Sequence, residues 1–132
     1  MFLRRNGSKY NAEKTVVDGV EFASKMEARR YVVLKSYVGK TITDLERQPK
    51  FVLQDAFRYG REAVRKIEYR ADFAYTVGLG RPGETCYRVV EDVKGMETPE
   101  FKIKLKIWKK LHGHLYQFRI VKGVKAILSA PA

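Results

Sequence analysis

Three side chains have the types and spacing for chemistry. Asp92 and Lys94 stand two residues apart in Val89-Val90-Glu91-Asp92-Val93-Lys94-Gly95. On a strand they share one face, and Glu91 points to the other. Asp72 lies earlier, in Arg70-Ala71-Asp72-Phe73. If strand pairing brings Asp72 beside Asp92, the two carboxylates repel unless a cation sits between them. Hard oxygen donors select Mg²⁺ or Mn²⁺. A lysine beside such a pair can neutralise a phosphate and orient an attacking water. The chemistry suggested is hydrolysis of a phosphodiester. The plainer account is that charge pairs on strands support pairing, with Asp72 bridging to Arg70 or Lys94.

The elements that must hold these residues are legible in outline. Asp18-Gly19 inside 15–22 predicts a tight type I′ hairpin. Residues 24–39 predict a helix capped by Ser24 and stopped by Gly39, with Met26, Val33, Leu34 and Tyr37 inward. Glu27 completes the Ser-x-x-Glu capping box of that helix. Residues 42–54 are extended, and Pro49 implies an edge or a strand start. Residues 55–66 read as a polar connection. In 67–77, Ile67, Tyr69, Ala71, Phe73, Tyr75 and Val77 alternate on one face, leaving Glu68, Arg70 and Asp72 on the other. Residues 86–95 give the next strand, whose valines bury one face and the strand's ends, pairing with the preceding strand as a hairpin.

Residues 98–113 alternate briefly like a strand. The Thr98-Pro99-Glu100 start and the Gly113 stop favour a helix. It carries Phe101, Ile103, Leu105, Ile107, Trp108 and Leu111 on one arc, and Lys102, Lys106, Lys109 and Lys110 beyond it. Residues 115–123 form a last strand. The order αβββαβ predicts an α/β (α+β) fold with a central mixed sheet flanked by helices. Residues 1–14 read as a basic arm, 15–123 as one domain and 124–132 as a C-terminal tail.

The chain has 132 residues, 27 Lys and Arg against 15 Asp and Glu, and a net charge of +12. That excess points to a polyanion, nucleic acid first, with Arg4, Arg5, Lys9 and the lysines of 102–110 as contacts. The plainer account of the stripe is a solvated face, and the net charge favours DNA contact over it. No apolar run is long enough to span a bilayer, and no apolar segment follows the basic start, so neither a membrane nor a secretory signal is expected. The single cysteine, Cys86, fits a reducing cytoplasm and a small buried residue. His112 and His114 form His-x-His, a possible metal pair, although histidine also suits a helix C-terminus.

Taken together, Arg70–Phe73, Val89–Gly95 and the helical 24–31 segment resemble the PD-(D/E)XK nuclease superfamily. Residues 9–31 and 45–51 further resemble small phage-encoded endonucleases, which are similar to archaeal-type Holliday junction resolvases. The resemblance covers most of 9–122 and implies a restriction-endonuclease-like core. It implies that Asp72 and Asp92 bind the metal, that Lys94 is the motif lysine, and that Glu27 completes the site, in part through water. The backbone carbonyl of Val93 becomes a further ligand, and Gln48 lies near the site. Ala71 replaces the motif proline. The implied activity is Mg²⁺- or Mn²⁺-dependent cleavage of four-way DNA junctions. Such a junction needs paired nicks, and a C₂ homodimer supplies two sites. A small basic chain without a base-reading domain suits recognition of DNA shape. The segment Phe57–Tyr59 is the candidate interface. Another nuclease of the superfamily, acting on ends or flaps or as a nickase, and a non-catalytic DNA-binding protein are the alternatives.

Overall fold

A computed structural model describes residues 14–132. Arg4, Arg5 and Lys9 lie outside the described residues. The elements are β1 (Thr15–Val17), β2 (Val20–Phe22), α1 (Lys25–Tyr37), β3 (Ile42–Arg47), β4 (Lys50–Gln54), β5 (Phe57–Tyr59) and β6 (Glu62–Val64). They continue as β7 (Ile67–Arg70), β8 (Phe73–Val77), β9 (Tyr87–Val93), α2 (Pro99–His112), β10 (Tyr116–Val121) and α3 (Gly123–Ile127). Local signals account for several of them. Asp18 and Gly19 both take positive φ (51° and 74°), as the β1–β2 turn requires. Ser24 caps α1 by accepting the Glu27 N–H at 3.1 Å, and Thr98 caps α2 by accepting from Phe101 at 3.2 Å.

The central sheet has the order β10-β9-β8-β3. It is mixed: β9 runs parallel to β10 and antiparallel to β8, and β8 is antiparallel to β3. With α1 and α2 this is the expected αβββαβ core. The sheet separates two apolar clusters. One holds Phe22, Ala28, Tyr31 and Leu34 against Phe73, Tyr75, Val89 and Val93. The other holds Phe101, Leu105 and Trp108 of α2 against Phe51, Tyr69, Ala71, Ala74 and Val90.

Four expectations change. Residues 67–77 are not one strand: β7 pairs with β4, and β8 with β3 and β9. The chain bends at Ala71–Asp72, so Tyr69 and Ala71 face one cluster and Phe73 and Tyr75 the other. The valines of β9 do not share a face, because Val89 and Val93 lie in one cluster and Val90 in the other. Residues 55–66 form a β5–β6 hairpin rather than a bare connection. The segment 124–132 is no loose tail, since Ile127 is only 2% exposed within the core. In addition Ile103 and Leu111, placed on the inner arc of α2, are exposed, and Cys86 is exposed rather than buried. No helix among the described residues is long and apolar enough to cross a membrane.

Candidate active site

The carboxylates meet where β8 begins beside the end of β9, with Asp92 still paired to Ile120 of β10. Phe73 lies opposite Glu91, so the next residues outward are Asp72 and Asp92. The Asp72 backbone is fixed on both sides: its N–H donates to the Glu91 carbonyl at 3.2 Å, and its carbonyl accepts the Gln48 N–H at 2.9 Å. Ala71 N–H donates to Pro49 O at 3.1 Å. Thus two strand breaks, Gln48–Pro49 and Ala71–Asp72, are tied face to face. Gln48 takes a left-handed φ of 50° to make its tie. Its backbone thereby positions Asp72, which gives the near-site expectation a physical content.

The side chains complete the arrangement. Asp72 Oδ2 accepts the Val93 N–H at 2.7 Å. The recorded tie to Val93 is therefore through its amide N–H, whereas the expectation concerned its carbonyl. Asp92 is 2% exposed. Its Oδ2 accepts the Tyr69 hydroxyl, and its Oδ1 lies 3.1 Å from Lys94 Nζ. Lys94 Nζ also sits 4.4 Å above the Phe101 ring, a cation–π contact that holds the ammonium in place. Lys94 thus pairs with Asp92, not Asp72. Glu27, in the first turn of α1, lies near enough for its charge to help raise the Asp72 pKa.

This crowding sets the protonation. The Asp72 carboxyl is pushed up to about 10, first by burial, then by the charges of Asp92 and Glu27 and by hydrogen bonding to the same groups. Burial, then the Asp92 carboxylate, hold the Tyr69 hydroxyl far above its ordinary value, so it remains a donor. Among the described residues no group of three or more His, Cys, Asp or Glu is placed, as the side chains stand, to hold a metal ion. The acids are instead held by protons, an amide, a phenol and an ammonium. His112 turns its Nε2 toward Val52 O at 3.5 Å and packs on Phe51, and His114 is exposed, so the His-x-His pair has no common centre.

The neighbouring acid has a different task. Glu91 is fully buried and receives Arg30 through two hydrogen bonds of 2.7 Å. Tyr75 donates its hydroxyl to the same carboxylate, and Arg119 approaches at 3.6 Å. Burial opposes the Arg30 charge, but Glu91 outweighs it and the pKa is raised. Arg30 also donates to the Ile127 and Ser129 carbonyls at 3.0 and 2.6 Å, joining α1, β9 and the C-terminal segment. The period-two reading of Asp92 and Lys94 against Glu91 agrees with this division.

Beside the cluster lies an open groove of about 440 Å³ whose lining includes Lys50, Tyr69, Arg70, Lys94, Phe101 and Lys104. Lys102, Lys106, Lys109 and Lys110 are exposed on α2 but do not line it. Sequence reasoning missed Tyr69, because the unbroken alternation over 67–77 put it opposite Asp72. It missed Lys50 and Lys104 because cations are common throughout this chain.

The chain belongs to the family described as "Protein of unknown function (DUF1064)", whose model matches residues 7–127. No curated protein and no solved structure matches it.

Proposed function

We propose that the chain is a metal-dependent endodeoxyribonuclease of the PD-(D/E)XK type that resolves four-way DNA junctions by paired, symmetric nicks. The observation that carries this reading is the convergence of Glu27, Asp72 and Asp92, with Lys94, at one end of the sheet. Three acids crowded enough to keep Asp72 protonated form a site that a divalent cation would relieve. The donor set is all oxygen and fits Mg²⁺ or Mn²⁺. Asp72 and Asp92 would hold the ion, with Glu27 beside them and the Val93 carbonyl as a further donor. The bound ion would supply Lewis acidity and a more acidic water.

The chain's own groups do the rest. Tyr69 and Lys94 fix both oxygens of Asp92. Lys94 brings a positive charge to the phosphate, and the Val93 N–H orients Asp72. The net charge of +12 supports a nucleic-acid substrate. Paired nicks require two sites, and a C₂ homodimer provides them.

The test is incubation with a labelled immobile four-way junction and a linear duplex of the same sequence, with Mg²⁺ or with EDTA. Symmetric nicks in the junction alone, only with Mg²⁺, are expected. Equal cutting of both substrates would leave a nuclease without junction selectivity, and binding without cutting would leave a DNA-binding protein. Asp92→Asn should reduce cleavage by at least about 100-fold while preserving or strengthening binding. Normal cutting by this variant would remove Asp92 from the site.

A further inference from the structure

We infer that Lys50 and Arg70 form a clamp for a backbone phosphate of the DNA, so that the strand reaches the carboxylates along the β4–β7 side of α2 rather than along its lysine stripe. The inference rests on the nuclease reading and names its binding track. Lys50 and Arg70 are direct cross-strand partners in the β4–β7 pair, and both are exposed. Like charges directly opposite each other on antiparallel strands are unfavourable. A phosphate between them turns that repulsion into two attractions, and the planar guanidinium of Arg70 can bind two of its oxygens.

The surroundings agree. Lys50 and Arg70 line the same groove as Lys94 and Lys104. The lining sets four cations against two acids: Glu68 pairs with Lys66 at 2.6 Å and also feels the charges of Lys50 and Arg70, and Glu100 pairs with Lys104 at 3.1 Å. Positive charge is therefore in excess there. Tyr69 and Lys94, which also line it, both touch Asp92, so two residues of the groove wall connect it to the carboxylate cluster. The clamp is rigidly placed as well: Pro49 precedes Lys50, Ala71 follows Arg70, and these two are joined through the Ala71 N–H. The stripe of Lys102, Lys106 and Lys109 has no such link to Asp92.

Binding to fluorescent junction and linear duplex, measured in EDTA from about 50 to about 200 mM salt, tests this. Lys50→Gln/Arg70→Gln is expected to weaken binding about tenfold or more and to reduce the salt slope by about 1, the loss of one phosphate contact. Its thermal midpoint should be unchanged or higher, since a repulsion has been removed. Lys106→Gln/Lys109→Gln should cost less affinity. Lys50→Arg/Arg70→Lys keeps both charges and should bind nearly as wild type, which separates a clamp from a folding defect. Wild-type affinity and slope in the Gln pair, or failure of the charge-keeping pair to bind, would overturn the clamp alone. A wild-type protein that binds neither DNA would overturn the nuclease reading and the clamp with it.

Discussion

Asp72 and Glu91 are both acids at one end of the sheet, and their surroundings give them opposite properties. Asp72 is crowded by Asp92 and Glu27, and its carboxyl is pushed up to about 10 from the ordinary 3.8. Between those values the folded protein carries a proton that the unfolded chain lacks, so stability falls as pH rises. Thermal melting in EDTA should show a midpoint that declines across this window. Asp72→Asn should flatten the decline and raise stability near pH 8 by on the order of 1–2 kcal/mol. A profile identical to wild type would mean that the three acids do not meet. Glu91, by contrast, is matched by Arg30 at 2.7 Å with both side chains fully buried. Glu91→Gln should cost about 3–5 kcal/mol in denaturant unfolding, because it strands a buried guanidinium. Asp92→Asn, one residue away, should cost far less and act on cleavage. Comparable losses from the two variants would contradict this division.

The long antiparallel ribbon β3–β4 against β7–β8 is what aims these residues. Its bend at Gln48–Pro49 and Ala71–Asp72 turns Tyr69 toward α2 and Phe73 toward α1. A straight strand would have kept Tyr69 and Phe73 on one face, and Asp92 would lose its phenolic donor. Helix α2 closes the other side of the site through Phe101 and is anchored by Trp108, which is 0% exposed. Its ring meets Phe51, Tyr116 and Phe118 at centroid distances of 5.6, 5.9 and 5.3 Å. Trp108→Ala should destabilise by about 3–5 kcal/mol, measured by denaturant midpoint. A loss below about 1 kcal/mol would mean that the cluster repacks easily. Ile103 and Leu111 are exposed, and the buried face of the helix consists of Phe101, Leu105 and Trp108.

Assembly and charge belong to the molecule as a whole. The proposed paired nicking needs two sites across one axis, so on that proposal equilibrium sedimentation at micromolar concentration should give twice the mass of the chain. Phe57 and Tyr59, 48% and 74% exposed on the β5–β6 hairpin, form the candidate interface. Tyr59→Arg should then shift the equilibrium toward monomer. A monomeric wild type would remove paired nicking by a free dimer, and an unaffected dimer in the variant would move the interface elsewhere.

Much of this was legible in local sequence because local physics fixes it. Caps, the Asp-Gly turn and the helix stop depend on residues within one turn of chain. The period-two rule put Asp92 and Lys94 together, and their ion pair agrees. The mixed sheet with flanking helices followed from the order of the segments. What the sequence could not supply depends on partners far apart in the chain. The bend at Asp72 is set by Gln48 and Pro49. Burial on both faces of β9 follows from its central place between β8 and β10. Arg30 of α1 becomes the counterion of Glu91 only when the helix is packed on the sheet. The same holds for Lys50 and Arg70: each is an ordinary surface cation in the sequence, and only strand register sets one against the other.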